Sequence, residues 1–305
     1  MQIKIVFANG VQRLKQVGIP EPELETSLLL SHVLKMERTE VLLKEEKVLD
    51  KKQLEDFEKK ISRRLNREPL AYIIGEKEFW SLPFKVTKDV LIPRPETEFL
   101  LEKALAVLKG MEGDSKKKVK ILDLGTGSGV IGIVLALELL TAKVTAIDYS
   151  LNALKVANHN AKKHKVEERI DFINCDWFGG IMAKADFDVV ISNPPYVARE
   201  VLAKPPGRNT SNLQPEVVDF EPQLALDGGE RGIQEIRIIA VELEKMLKPG
   251  GWFFMEIGAD QEKEVSSIFN RNAVYSSCEI LYDYAGLPRV LRARKKQNKS
   301  AITKN

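Results

Sequence analysis

The order of apolar and polar positions changes character twice along the chain. In EPELETSLLLSHVL, Leu24, Leu28 and His32 recur on one side at helical spacing, and Leu29, Leu30, Val33 and Leu34 broaden the apolar face. In DKKQLEDFEKKISRRLNR the apolar positions are Leu54, Phe57, Ile61 and Leu65, with charges elsewhere. Such spacing predicts amphipathic helices, parts of a small bundle rather than cofactor-binding elements. The stretch LAYIIGEKEFWSLPFKVTKDVLIPRP is instead rich in β-branched and aromatic residues. Punctuated by Gly75 and Pro83, it predicts a β-hairpin. ETEFLLEKALAVLKG returns to a helical pattern, and the polar MEGDSKKK reads as a linker.

From Val119 onward strand and helix patterns alternate. KVKILDLG, AKVTAIDYS, RIDFINCD, FDVVISN and WFFMEIG read as strands. GVIGIVLALELL, SLNALKVANHNAKKHK and GIQEIRIIAVELEKMLKPGG read as helices, the second N-capped by Ser150 and the third stopped by Pro249 and two glycines. CEILYDYAGLPRVLRAR adds two strands around Gly286-Leu287-Pro288, making seven. This alternation predicts an α/β domain, a doubly wound parallel sheet covered on both faces. The expected organisation is a helical region over 1–70, a β-hairpin and linker helix over 71–118, the seven-stranded domain over 119–295, and a basic tail over 296–305.

Composition narrows the classes. Over 305 residues, 44% are apolar and 30% charged, ordinary for a globular chain with a core. The net charge of +3 is too small to argue for a nucleic-acid surface, and the basic ending RARKKQNKSAITKN reads as a solvated terminus. Cys175 and Cys278 stand far apart, and His32, His159 and His164 form no ligand pair, so neither a disulfide framework nor a metal is expected. No apolar run approaches membrane-spanning length and no signal peptide opens the chain, which predicts a cytoplasmic protein.

The first candidate chemistry lies in DLGTGSGVIG. A strand runs into Gly125, Thr126, Gly127, Ser128 and Gly129, and a helix follows, as where doubly wound sheets bind nucleotides. Val130 stands where a dinucleotide fingerprint needs its last glycine, and no Gly-Lys-Ser/Thr is present for a phosphate loop. Asp148, at the end of the second strand of the alternation, can accept hydrogen bonds from both hydroxyls of a ribose. Together these residues suit a nucleoside without pyrophosphate, such as S-adenosylmethionine. Asp123, just before the glycines, has an ambiguous role. Trp177, after the third strand, can cover an adenine ring or pack in the core.

The second lies at Asn193-Pro194-Pro195-Tyr196, after the fourth strand. A planar amide or exocyclic amine is a poor nucleophile because its lone pair is delocalised. Acceptors at both N–H groups, the Asn193 side-chain oxygen and the Pro194 carbonyl, would orient it and favour the cationic nitrogen that develops. The prolines aim that carbonyl in advance, and Tyr196 can lie against the flat group. No strong base is needed first, because the methylated nitrogen loses its proton afterwards.

With Asp-Leu-Gly-Thr-Gly-Ser-Gly, Asp148 and Asn-Pro-Pro-Tyr in place, the chain resembles the class I amino-methyltransferases. REPLAYIIGEKEFWSLPFKV, VLIPRPETE, DFEPQLALDGGERGI and the helical ELETSLLLSHVLKMERTEVLL resemble segments of the release factor glutamine methyltransferases, the HemK/PrmC group. The resemblance implies an N-terminal helical domain that helps dock the partner, a β-hairpin, and a seven-stranded class I methyltransferase domain. It implies transfer of a methyl group from S-adenosylmethionine to N5 of the glutamine in the Gly-Gly-Gln motif of class 1 peptide chain release factors. The expected partner is a release factor, with no nucleic acid and no membrane, and the protein a monomer. The family pattern gives Gly125 through Gly129, Asp148 and Trp177 to the cofactor, Asn193 to both cofactor and substrate, and Asn193 through Tyr196 to the glutamine amide. It places Arg94-Pro95-Glu96-Thr97-Glu98 near the active site, although proline and two acids also make an ordinary helix start. The stretch AREVLAKPPGRNTSNLQPEVV departs from the usual connection and bears on the pocket's lid. The competing readings are an N6-adenine DNA methyltransferase, which would carry a target-recognition segment, and a non-catalytic adaptor that binds the cofactor.

Overall fold

The computed structural model describes residues 1–111, 118–182, 184–203 and 213–297; residues 204–212 of the lid stretch and 298–305 of the basic tail lie outside them. The N-terminal periodicity folds as α1 (Ile3–Gln16), α2 (Pro22–Leu34), α3 (Arg38–Leu43), α4 (Lys51–Leu65) and α5 (Leu70–Ile74). Asp50 and Gln53 start α4 with a capping box: the Asp50 carboxylate accepts from Gln53 N at 2.8 Å, and the Gln53 side chain accepts from Asp50 N at 3.0 Å. Phe57 and Ile61 are buried as their spacing predicts. On α2 the buried face carries Thr26, Ser27, Leu29, Leu30 and Leu34, while His32 is exposed. Thr26 packs against Gly10 of α1, where a Cβ would stand 2.7 Å from Thr26 Cγ2. The missing side chain leaves room for Thr26 on the inward face.

Leu70–Ile74 is helical rather than the opening of a hairpin. Pro69 precedes it, and Gly75, at φ +83°, ends it in the left-handed region. The hairpin itself is β1 (Glu76–Phe79) and β2 (Leu82–Lys85). Its turn residues Trp80 and Ser81 both have positive φ, without the usual Asn-Gly signal. Hydrogen bonds hold the turn: Trp80 N donates to Glu98 and Trp80 Nε1 donates to Glu138, at 2.7 and 3.0 Å.

The remaining elements are α6 (Pro95–Leu108), β3 (Val119–Leu124), α7 (Val130–Glu138), β4 (Ala142–Asp148), α8 (Leu151–Lys163), β5 (Ile170–Asn174) and β6 (Phe187–Ser192). They continue through α9 (Arg199–Leu202), α10 (Pro215–Phe220), α11 (Gln234–Met246), β7 (Leu247–Glu256), α12 (Glu262–Asn270), β8 (Tyr275–Tyr282) and β9 (Pro288–Lys295). Seven strands form one sheet in the order β5-β4-β3-β6-β7-β9-β8. The first five are parallel, and β9 inserts antiparallel between β7 and β8. Alternate residues feed two cores: Ile121, Val144, Val189 and Phe254 pack with α6 and α7, and Leu122, Val190, Phe253 and Met255 pack with α11 and α12. The chain winds outward from β3 in one direction and from β6 in the other, so the switch point of the sheet lies between them.

The chain divides into two compact units, Met1–Glu76 with Leu213–Phe220, and Lys77–Asn212 with Glu221–Asn305. Within the first, α10 brings Glu216 to Arg64 and Arg67, at 3.2 and 3.0 Å, while Glu25 takes the other edge of the Arg64 guanidinium. Arg64 is 4% exposed. Replacing Arg64 with Ala leaves two largely buried carboxylates without their shared cation. We expect a loss of about 3 kcal/mol in the stability of the helical unit, read by urea unfolding followed in the helical signal. A loss within experimental error would show that the cluster contributes nothing to that unit.

Candidate active site

Leu124 and Ser192 are Cα partners on the two central strands, so Gly125 and Asn193 leave the sheet side by side at its carboxyl edge. There a cavity of about 840 Å³ opens. Of the residues singled out in the sequence, Gly125, Thr126, Gly127, Ser128, Asp148, Trp177, Asn193 and Pro195 line it. Arg94, Thr97, Phe178, Ile181, Glu235 and Ile238 contribute further wall.

The glycine loop is shaped by backbone conformation and held from below. Gly125, Gly127 and Gly129 have φ of +71°, +56° and +85°, a region that strains residues with a Cβ. Asp123 faces the loop, not the cavity: wholly buried, its Oδ2 accepts from Thr126 Oγ1 at 2.7 Å and from Gly132 N at 3.1 Å. Its Oδ1 has no hydrogen-bond partner among the described residues. Burial pushes this carboxyl up to about 7 against the pull of those two donors. Sequence reasoning misses Asn160 of α8. Its buried amide donates to Ser128 O at 2.9 Å and to Lys85 O at 3.0 Å, and accepts from Lys85 N at 2.8 Å. It ties the end of the hairpin to the glycine loop. The available signal was an asparagine on the inner face of an amphipathic helix.

Asp148 closes β4. Its Oδ2 accepts from Gly127 N and its Oδ1 from Ser150 N, both at 2.8 Å. Each carboxylate oxygen has a further lone pair, so two hydroxyls can still be accommodated. Burial raises its proton affinity, and the two backbone N–H groups oppose that. Trp177 has φ +42°, and its indole donates to Glu235 at 2.7 Å. The ring passes close to Gly125, where a Cβ would lie 3.8 Å from it.

Gly129, Pro194 and Tyr196 do not line the cavity. A Cβ on Gly129 would come within 3.0 Å of Ala157 and Ile133, so this glycine serves the packing of α7 against α8. Pro194 is buried. Tyr196 donates its hydroxyl to Glu256 Oε1 at 3.0 Å, and burial together with that carboxylate raises its pKa well above the ordinary value. Asn193 Nδ2 donates to Thr97 Oγ1 at 3.1 Å, and Thr97 Oγ1 donates to Glu256 Oε2 at 2.8 Å. Glu256 is wholly buried, which raises its proton affinity against those two hydroxyl donors. α6 does start at Pro95, as the helix-start signal predicts, but its first turn also supplies Thr97 to this network.

The segment after Asn193 is strapped from outside. Val197 N donates to Leu226 O, and Gly228 N donates to Val197 O, both at 2.9 Å. Gln261 Nε2 donates to Tyr196 O and Gly232 O, again at 2.9 Å. A Cβ on Gly228 would fall 2.8 Å from Pro195 O, and one on Gly232, at φ +70°, would fall 2.2 Å from Tyr196 O. Gly228 and Gly232 of LALDGGERGI are thus places of close approach to the Pro-Tyr backbone. In the neighbouring DFEP, Glu221 accepts from Ile92 N at 3.1 Å and pairs with Arg94.

The buried Asp123 makes stability depend on pH in a defined direction. Its carboxyl ionises near 3.8 when unfolded but only near about 7 when folded. Between those values the folded state binds the extra proton, so this contribution falls as pH rises across the window and is gone above it. Asp123→Asn keeps an acceptor for Thr126 and Gly132 without a titrating group. We expect urea unfolding across that window to give a flatter stability profile for Asp123→Asn than for the parent; parallel profiles would contradict the assignment.

Two family models match the chain, the PrmC N-terminal domain over residues 6–75 and a methyltransferase domain over residues 115–299. The bifunctional methyltransferase of Rickettsia felis is 38% identical over 95% of this chain and 57% of its own length. Across the bifunctional methyltransferases of five Rickettsia species, the chain spans between 50% and 62% of the relative's length. The release factor glutamine methyltransferase of Vibrio cholerae is 37% identical over 98% of this chain and 99% of its own. That of Nitratidesulfovibrio vulgaris is 34% identical over 95% and 94%. Among solved structures, the catalytic domain of hMettl16 in complex with a MAT2A 3'UTR hairpin has a TM-score of 0.55 at 16% identity, covering 79% of this chain and 82% of that one. That last likeness is one of fold alone. With a PrmC-type N-terminal domain, a methyltransferase domain and relatives matched end to end, this chain belongs to the release factor glutamine methyltransferase family.

Proposed function

We propose that this protein transfers a methyl group from S-adenosylmethionine to the side-chain amide nitrogen, N5, of the glutamine in the Gly-Gly-Gln motif of class 1 peptide chain release factors. The observation that carries the reading is the pairing of Leu124 with Ser192, which sets the glycine loop and Asn193 at one cavity. The donor set fits the cofactor. Asp148 is the ribose acceptor, the Gly125–Gly129 loop lets backbone approach closely, and Trp177 with Phe178 and Ile181 offers apolar wall to a base. When bound, S-adenosylmethionine supplies an electrophilic methyl group on a cationic sulfur.

The chain's own residues hold the acceptor. Asn193 Oδ1 and the Pro194 carbonyl take the two N–H bonds of the glutamine amide, which orients the nitrogen and favours positive charge gathering on it. Tyr196, which the sequence pattern gives to the flat face of the amide, stands outside the cavity wall, so its part is assigned to holding the Asn-Pro-Pro backbone, with its hydroxyl fixed by Glu256. The prolines hold the carbonyl still, so orientation is set before the substrate arrives. Glycines flanking the target glutamine suit a narrow entrance, since they add no side chain beside it. The reading carries a cytoplasmic location with it, where release factors act.

Mass spectrometry of a release factor after incubation with this protein and S-adenosylmethionine should find one added methyl group on the Gly-Gly-Gln glutamine. Methyl label appearing on DNA and not on the release factor would overturn the reading in favour of an adenine methyltransferase. Asn193→Ala should keep cofactor affinity near that of the parent by calorimetry, while turnover falls by roughly 10²-fold or more. Equal turnover in variant and parent would remove Asn193 from the chemistry.

A further inference from the structure

Asn193 is useful as an acceptor only if its oxygen, not its NH2, faces the cavity. Nothing in the Asn-Pro-Pro-Tyr segment dictates which way the amide is turned, since the two ends are nearly equal in size. The hydrogen bonds behind it do. Glu256 is 0% exposed and Thr97 is 3% exposed, so neither exchanges its partners for water. An ionised carboxylate can only accept, and both of its oxygens are engaged by hydroxyls, Thr97 Oγ1 at 2.8 Å and Tyr196 OH at 3.0 Å. A threonine hydroxyl has one proton. With that proton committed to Glu256, Thr97 presents only lone pairs to Asn193, 3.1 Å away. It can then be approached only by the NH2 end.

We infer that Thr97 and Glu256 are positioning residues for Asn193: the buried carboxylate polarises the Thr97 hydroxyl, which takes the Asn193 NH2 and thereby turns Oδ1 toward the cavity. The inference rests on the proposed role of Asn193 and deepens it. It gives α6 a part in the reaction beyond its helix start, and it gives β7 a residue whose side chain acts two hydrogen bonds away from Asn193. Tyr196 shares the same carboxylate, so the two ends of the Asn-Pro-Pro-Tyr segment are fixed by one buried group.

Thr97→Val keeps the shape and removes the hydroxyl; Thr97→Ser keeps the hydroxyl. At mildly alkaline pH, which favours ionised Glu256, we expect Thr97→Val to lower kcat roughly 10²-fold with the release-factor KM and the S-adenosylmethionine Kd within about twofold of the parent, and Thr97→Ser to restore kcat to within about threefold. A role confined to stability would instead lower the unfolding midpoint with kcat unchanged in the folded protein, and that result would overturn the inference. A second readout needs no turnover. The Asn193 side-chain NH2 signals in a nitrogen-15 spectrum, identified by their loss in Asn193→Asp, should be protected from solvent exchange in the parent and in Thr97→Ser, and should move and lose protection in Thr97→Val. Were Thr97→Val unable to fold, the parent alone decides, because an Asn193 NH2 exchanging as fast as an exposed amide overturns the bond. A parent that leaves the release-factor glutamine unmethylated sinks the functional reading, while protected NH2 signals would still uphold the hydrogen-bond assignment.

Discussion

The candidate site depends on one strand pairing, β3 against β6. These strands lie next to each other in the sheet but are separated in the chain by two βα units that wind away on the β4 side. Their parallel register, with Leu124 opposite Ser192, delivers Gly125 and Asn193 to the same edge at the same level. A slip of one residue would turn alternate side chains of β6 to the opposite core and carry Asn193 off its level. That register is protected because residues on both faces of β3 and β6 are buried, and because Ser192 Oγ bonds the Leu124 carbonyl at 2.9 Å.

Around that pairing the structure uses buried polar groups as fixtures. Asp123 holds the glycine loop, Asn160 ties the loop to the hairpin, and Glu256 gathers Thr97 and Tyr196. Each lies in a setting of low polarity, where a satisfied network is rigid and a partly satisfied one is costly. Asp123 keeps one oxygen without a partner among the described residues and a carboxyl pushed up to about 7, so rigidity under the loop is obtained against a desolvation cost. Asp123, Asn160 and Glu256 stand behind the site and do not line the cavity themselves.

The sheet's far edge shows where local patterns stop being informative. CEILYDYAGLPRVLRAR reads correctly as two strands with a turn between them. Nothing in it states that β9 passes between β7 and β8 instead of pairing at the edge. Likewise, Leu70–Ile74 has strand-like composition, yet Pro69 before it and Gly75 after it make it one turn of helix. Composition records what a segment can bury; turn chemistry and neighbours decide the geometry in which it does so.

By itself the sequence determined the alternation that makes an α/β sheet, the glycine turn after its first strand, the acid at the end of the next, and the Asn-Pro-Pro-Tyr rim. All of these are local: a period of two or of 3.6, a positive φ that only glycine takes cheaply, a φ locked by proline. Tertiary structure alone decided what stands behind them. Asn160 and Glu256 carry no motif, and Thr97 sits in a segment that the resemblance places near the site without saying what its hydroxyl does; α6, α8 and β7 bring the three there from places far apart in the chain. A hydrogen bond between such residues leaves no spacing in the sequence, because its geometry is made by the packing of the sheet and not by the chain between its ends.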